Sequence, residues 1–262
     1  VDKERSLERS VSSRLALVVG LKQEAKAAAV PTTIIGGGSA KQVRRLLAQA
    51  GPLDAVLSFG IAGGLAPGLK AGSLVIAESV IADESYPCCP EWLDALARRL
   101  PHAHIGSVAG VDAMIGSRLE KAALHRETGA LAADMESHGA AAFARANRLP
   151  FIALRAIADP CERALPLSAM VGMNSDGSAN IRAVLRELAR RPGDLRGLLQ
   201  TAREARAALN ALLRCRSLLG GLFSFNNRGE PLLDLSGEFE FGRPLFVERN
   251  ISFHRPLCLY AE

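Results

Sequence analysis

The chain has 262 residues, 48% of them apolar and 23% charged, with a formal net charge of +5. That length can bury a full core in one or two domains, and the composition excludes a disordered or fibrous chain. No apolar run is long enough to span a bilayer, and the polar opening VDKERSLERSVSSR lacks the apolar core of an export signal, so a cytoplasmic location is expected.

In chain order, RLALVVGL (14–21) predicts a buried strand closed by glycine. TTIIGGGSAKQVRRLLAQAG (32–51) predicts a short strand, a glycine turn and a helix with apolar positions every three or four residues. DAVLSFG (54–60) and GSLVIAESVI (72–81) are further strands, separated by the glycine-rich GIAGGL. HIGSVAGVDAMI (104–115) reads as strand and loop, and ALAADMESHGAAAFARANRL (130–149) begins extended and becomes a helix. PFIALRAIAD (150–159) is an apolar strand stopped by an acid before Pro160, and from about 180 the pattern is helical. Apolar strands interleaved with helices predict one α/β domain, residues 12–216, whose sheet is covered on both faces.

Residues 217–262 hold six of the nine Phe residues and none of the alanine-rich helical pattern. An added hairpin-like arm, an interaction tail and non-native sequence all fit this extension. Arginine crowds residues 182–216 at helical spacing. Solvated faces of amphipathic helices account for it, and a basic surface toward anionic lipid or a partner is the sharper alternative. Nucleic acid is not an expected partner, because aromatic residues for base stacking are missing there. The five cysteines form no metal spacing, and His102 and His104 have no ligand partners nearby, so reduced thiols and no metal site are expected.

In open α/β sheets ligands sit beyond the carboxyl ends of the strands. Three acids stand at such ends: Glu24 after LALVVG, Glu136 in ADMES and Asp159 after FIALRAIA. Taken singly each has an ordinary reading. Asp159 suits a helix cap before Pro160, Glu136 a first-turn acid, and Glu24 a solvated helix residue. The glycines of GIAGGL offer either a turn or close approach to a ligand. They do not match G-x-G-x-x-G, and GGGSAKQ (36–42) is not a P-loop, so neither a dinucleotide nor a nucleoside triphosphate is expected.

Together the pieces SFGIAGGLAPGLKAGSLVIAESV, AGVDAMI and ADMESHGAAAFARANRLPFIALRAIAD resemble the purine nucleoside phosphorylase and nucleosidase superfamily over about residues 14–160. The branch they resemble most is that of the methylthioadenosine/S-adenosylhomocysteine nucleosidases. From ADMES to RRPGDL the chain also resembles the hopanoid-biosynthesis branch, which removes adenine from adenosylhopane to leave ribosylhopane. The resemblance implies a three-layer α/β/α fold around a central mixed sheet, a homodimer, a purine nucleoside as substrate and no cofactor, with phosphate as a conditional co-substrate.

The resemblance also assigns roles. Asp159 would protonate purine N7 as the bond breaks. Glu136 would accept hydrogen bonds from the ribose 2′- and 3′-hydroxyls, with Met135 packed on the sugar. Met114 and Ile115 would meet the purine, although Met114 stands where the family has an aromatic residue. Glu24 would orient the attacking water, after a one-residue shift in GLKQEA. Gly60, Ala62, Gly63 and Gly64 would bring backbone close to the sugar and nucleophile.

Hydrolysis is expected over phosphorolysis, since GLKQEAK and AVLSFGIAGG lack the arginines of the hexameric phosphorylases and offer only Lys22 and Lys26 in their place. Ala158 stands where relatives carry a serine beside the acid. The alternatives are a soluble methylthioadenosine/S-adenosylhomocysteine nucleosidase, a purine nucleoside phosphorylase, or a non-catalytic nucleoside- or lipid-binding module. For a hopanoid substrate, ESYPCCP (84–90) and LPLSAMVGM (165–173) would open the pocket onto apolar surface, and the arginine-rich helices would lie against an anionic inner-membrane face.

Overall fold

The chain folds around one mixed sheet. A computed structural model describes residues 14–28, 33–36, 38–171 and 180–218. Its strands are β1 (Leu15–Val19), β2 (Thr33–Ile35), β3 (Ala55–Gly64), β4 (Leu74–Ile81), β5 (Ser85–Pro87), β6 (His104–Gly110), β7 (Ala132–Asp134) and β8 (Phe151–Asp159). Its helices are α1 (Lys22–Ala28), α2 (Ala40–Gln49), α3 (Pro90–Arg99), α4 (Arg118–Thr128), α5 (Ser137–Ala146), α6 (Leu167–Met170), α7 (Ile181–Arg190) and α8 (Leu195–Leu218).

All nine residues of β8 are buried, so a sheet neighbour on each side and a helix on each face suit it. It runs parallel to β3, from Val56–Phe151 to Gly63–Asp159, and antiparallel to β4. β4 continues to β6, β6 to β7, and β7 returns antiparallel to β3 through Gly63–Ala133 and Gly64–Ala132. The five strands therefore close a ring, which the linear strand pattern does not disclose. Parallel β1 and β2 extend the sheet from β3. β5 borders β4.

Helices cover this sheet. α5 packs on α2, β3 and β8, and α8 packs on β8, β3 and α1. α8 does so through Ala208, Ala211, Leu212 and Cys215, which are buried at helical spacing. α4 starts with a reciprocal Ser117–Glu120 capping box and stops at Gly129, whose φ of 69° is left-handed.

Two expectations change here. The strand DAVLSFG does not end at Gly60: β3 continues through the glycine cluster to Gly64, its register against β8 shifting between Ala62 and Gly63. ESYPCCP is not a loop at the pocket. Ser85–Pro87 is strand β5, and the Cys89 amide donates to the Phe151 carbonyl at 2.8 Å. That places it at the start of β8, the far end of the strand from Asp159. The extension after about residue 217 lies outside the described residues apart from the last turn of α8, as do Gly172 and Met173 of LPLSAMVGM.

Candidate active site

Glu24 is not the solvated helix residue its neighbours suggest. It sits in the first turn of α1 just after β1 and is 2% exposed. Its Oε2 accepts the amides of Gly20 at 2.8 Å and Leu21 at 2.7 Å, and its Oε1 accepts the Ile61 amide at 2.7 Å. One carboxylate thus ties the end of β1 to β3. Burial pushes its pKa above the ordinary carboxylate range, while the three amides and Arg155 pull the other way.

Glu136 joins β7 to α5. It occupies the N-cap position of α5 yet makes no side-chain cap bond there. Its Oε1 instead accepts the Gly38 amide at 2.6 Å. Burial, then Asp134, then Glu24 push its pKa up to about 8. The space for it is made by missing side chains. A Cβ at Gly20 would lie 2.7 Å from its Oε1, and one at Gly36 would lie 2.8 Å from its Cγ. Gly60 does the same for Glu24, whose Oε1 would be 2.7 Å from an added Cβ. Gly60 therefore makes room for an acid of the protein rather than for a bound ligand, as does Gly20.

The charge of these acids is balanced from beneath. Arg155, in the middle of β8, donates through Nε to Asp134 at 2.8 Å, with a second bond from its Nη2, which also reaches Ser58 at 2.5 Å. Both side chains of the Arg155–Asp134 pair are 2% exposed. The Ser137 hydroxyl donates to Asp134 as well. Arg155 lowers the pKa of both Glu24 and Glu136, against their burial.

Asp159 ends β8, and the next helix begins only at Leu167, so no helix is there for it to cap. Its Oδ2 accepts from Lys121 Nζ at 2.5 Å, and its Oδ1 is buried with no hydrogen-bond partner among the described residues. Burial raises its pKa above the usual aspartate range, opposed first by the Lys121 hydrogen bond and charge.

One cavity of about 340 Å³ gathers these groups, a size in the range of small-molecule sites. Of the residues singled out from the sequence, Glu24, Ala62, Gly63, Met114, Ile115, Met135, Glu136 and Asp159 line it, whereas Gly60 and Gly64 are not among its lining residues. Ala158 and Asp134 line it too. Leu165 and Ala169 form its wall on the α6 side. Lys121 is the sole Lys or Arg among these lining residues. Sequence reasoning missed Lys121, Asp134 and Arg155. An arginine amid the apolar FIALRAIAD was a usable signal, because a central buried strand tolerates one only beside a buried acid. Among the described residues no group of three or more His, Cys, Asp or Glu could hold a metal ion.

Closed mixed sheet, carboxylates at the strand ends and a nucleoside-sized cavity define a class, and the chain belongs to the Phosphorylase superfamily, whose family model matches residues 7–190. Among individual proteins, the futalosine hydrolase of Streptomyces coelicolor is 33% identical over 129 residues, which is 42% of this chain and 55% of the hydrolase. The alignment thus spans about half the length of that relative. Among solved structures, the 5′-methylthioadenosine/S-adenosylhomocysteine nucleosidase of Streptococcus pneumoniae with a transition-state inhibitor superposes with a TM-score of 0.54 at 15% identity, covering 79% of this chain and 99% of that one. A futalosine hydrolase mutant of Helicobacter pylori gives 0.53 at 14% identity, covering 78% and 98%. At these identities the two structures establish the shared fold.

Proposed function

We propose that the protein hydrolyses the N-glycosidic bond of a purine nucleoside. The observation that carries this reading is the convergence of Glu24, Glu136 and Asp159 from three strand ends on one cavity. Bond cleavage leaves a ribosyl cation and a purine that is a poor anion. Asp159 gives its proton to N7 as the C1′–N9 bond breaks, a contribution of roughly 10²–10⁴-fold. Glu136 accepts the ribose hydroxyls; the cation forming above it favours its ionised form, which then adds to the negative field of Glu24. Glu24 keeps lone-pair capacity on Oε1, which accepts a single amide, and there it orients a water. The water oxygen bonds to C1′, its proton passes to Glu24, and Asp159 is reprotonated through solvent.

Water is the proposed nucleophile because the cavity offers a phosphate dianion little. Four carboxylates line it, and its sole Lys or Arg among the lining residues is held by Asp159.

For the 5′ substituent we propose a large hydrocarbon, with adenosylhopane as the candidate substrate. A cavity of about 340 Å³ holds a nucleoside but not a polycyclic hydrocarbon besides. An apolar path supports the exit: Leu165 and Ala169 on the cavity wall, then Leu167 and Val171, 46% and 41% exposed. α7 follows with no buried residue, and its Ile181 and Leu185 are exposed among Arg182, Arg186 and Arg190. Such a helix suits an anionic lipid surface. Among the described residues no helix is long and apolar enough to cross a membrane.

A second reading, hydrolysis of futalosine, is favoured by the 33% identity to the Streptomyces enzyme. The test is base release from adenosylhopane, futalosine, methylthioadenosine and adenosine, each with and without phosphate. Adenosylhopane is expected to give the highest kcat/KM, at a rate independent of phosphate. Preference for futalosine replaces the substrate and keeps the chemistry. Strict phosphate dependence makes the protein a phosphorylase, and no base release from any nucleoside overturns the hydrolase reading.

A further inference from the structure

Lys121 is the one lysine among the buried charged residues of the described chain, its side chain 1% exposed. It enters from α4, a helix that contributes no acid to the cavity. Its Nζ lies 2.5 Å from Asp159 Oδ2, 3.2 Å from the Pro160 carbonyl and 3.2 Å from the Arg163 carbonyl, with the Asp159 carbonyl at 3.4 Å. Every neighbour is an acceptor. An ammonium has three hydrogens and no lone pair, which matches three close oxygens, whereas a neutral amine would turn a lone pair on one of them. The ammonium is thus held by backbone carbonyls that cannot titrate, in the turn that follows β8.

We propose that Lys121 is the positioning residue of proton transfer from Asp159 to the leaving base. This rests on the hydrolase reading above. Because the ammonium can only donate, Oδ2 must accept, so the proton of the acid resides on Oδ1. That oxygen is buried and has no hydrogen-bond partner among the described residues, so no protein group there competes with the base for its proton. When the Oδ1–H bond breaks and the N7–H bond forms, a carboxylate is left in a buried site. The ammonium is already in place to neutralise it and needs no reorganisation.

The other charged groups near the acid are Arg163 and Glu204. They pair with each other across to α8 and act on Asp159 in opposite directions. Glu204 raises and Arg163 lowers the acid, while Lys121 lowers it by both hydrogen bond and charge. Half-buried Cys161 also senses Lys121, though its thiol lies above its ordinary range.

The test uses Lys121→Gln, which keeps a donor and drops the charge, and Lys121→Met, which drops both. The wild type and each variant are assayed on a purine nucleoside across pH, and on 4-nitrophenyl riboside, whose leaving group needs no proton. Asp159 must be protonated to act, so activity falls on the alkaline side as it ionises. Without the ammonium the acid holds its proton more tightly, so the alkaline limb moves to higher pH. We expect that limb to move up in both variants, with roughly 10–100-fold loss of kcat on the nucleoside. The loss on the activated riboside is expected to be at least tenfold smaller. A purely structural role predicts equal losses on both substrates and an unmoved limb, and that result overturns the proposal. A variant that fails to fold loses both activities together with its circular dichroism, and the Gln variant, which preserves volume and a donor, then decides. If the wild type releases base from neither substrate, the hydrolase reading fails and takes the role of Lys121 with it. If the wild type is active and the alkaline limb of Lys121→Gln stays in place, only the role of Lys121 fails.

Discussion

Glu136 is placed where ionisation is expensive, and replacing it with Gln should make the protein more stable while crippling it. Its pKa rises from an ordinary 4.5 to about 8, with burial first, then Asp134 and Glu24, as the causes. Below pH 4.5 the group is protonated in both the folded and unfolded chain, and it contributes nothing to a pH dependence. Between 4.5 and 8 the unfolded chain releases the proton and the folded one keeps it, so stability falls as pH rises. Above 8 both states are ionised and the full penalty is present. The span from 4.5 to about 8, at about 1.4 kcal/mol per pH unit, sets an upper bound of about 5 kcal/mol, and relaxation around the buried group will reduce it.

Gln is nearly isosteric, still accepts the Gly38 amide through its carbonyl and carries no charge. We expect Glu136→Gln to gain about 2–3 kcal/mol relative to wild type between pH 5 and pH 8.5, read from urea denaturation at both values. The same variant should lose turnover severely, because an amide cannot give up a proton and become the carboxylate that a ribosyl cation above it favours. A stability difference between variant and wild type that is the same at pH 5 and pH 8.5 would refute the reasoning. It would mean that Glu136 ionises normally in the folded protein.

Asp159→Asn should remove most base release, about 10²-fold or more, while circular dichroism stays that of wild type; near wild-type turnover would exclude Asp159 as the acid. Gly60→Ala should push Glu24 away from the Ile61 amide, since the new Cβ would stand 2.7 Å from Oε1. Leaving that buried carboxylate and amide mismatched should destabilise the fold by about 1–3 kcal/mol in chemical denaturation, and an unchanged midpoint would contradict the close approach. Replacing the 2′-hydroxyl of the substrate by hydrogen should lower kcat/KM in wild type far more than in Glu136→Gln, and equal effects in the two would take Glu136 away from the ribose. Lengthening an apolar 5′ substituent should raise kcat/KM, at about 0.8 kcal/mol per methylene that reaches the apolar path past Leu165, and a flat series would close that exit.

The architecture was legible because its strands are strongly apolar and its glycines and prolines punctuate them. β1, β4 and β8 lie within a few residues of where pattern alone puts them. What pattern could not show is closure. The pairing of β7 with β3 rests on two short stretches, Gly63–Gly64 and Ala132–Ala133, whose residues carry no periodic signal at all. The same limit hid Lys121. In RLEKAALHRE a lysine after an acid reads as an ordinary solvated helix face, and only the meeting of α4 with the end of β8 buries it. Arg155 was different: its strand is apolar on both sides, so the sequence alone called for a buried counter-charge.

The glycines make the most instructive case, because the question they raised had a third answer. A glycine at a strand end suggests a turn or a ligand, and Gly60 and Gly20 serve neither directly. Each leaves a hollow that a glutamate of the protein fills, Glu24 at one and Glu136 at the other. Gly20 does both tasks at once, donating its amide to Glu24 at 2.8 Å while its missing side chain admits Glu136. Two acids are thereby pressed together at the floor of the cavity. Their mutual repulsion is part of what lifts Glu136 to about 8. Sequence reading found the acids and the glycines as separate signals. They are one device: the glycines allow carboxylates to sit where water would otherwise have to be, and a cation bound above them is what such crowding favours.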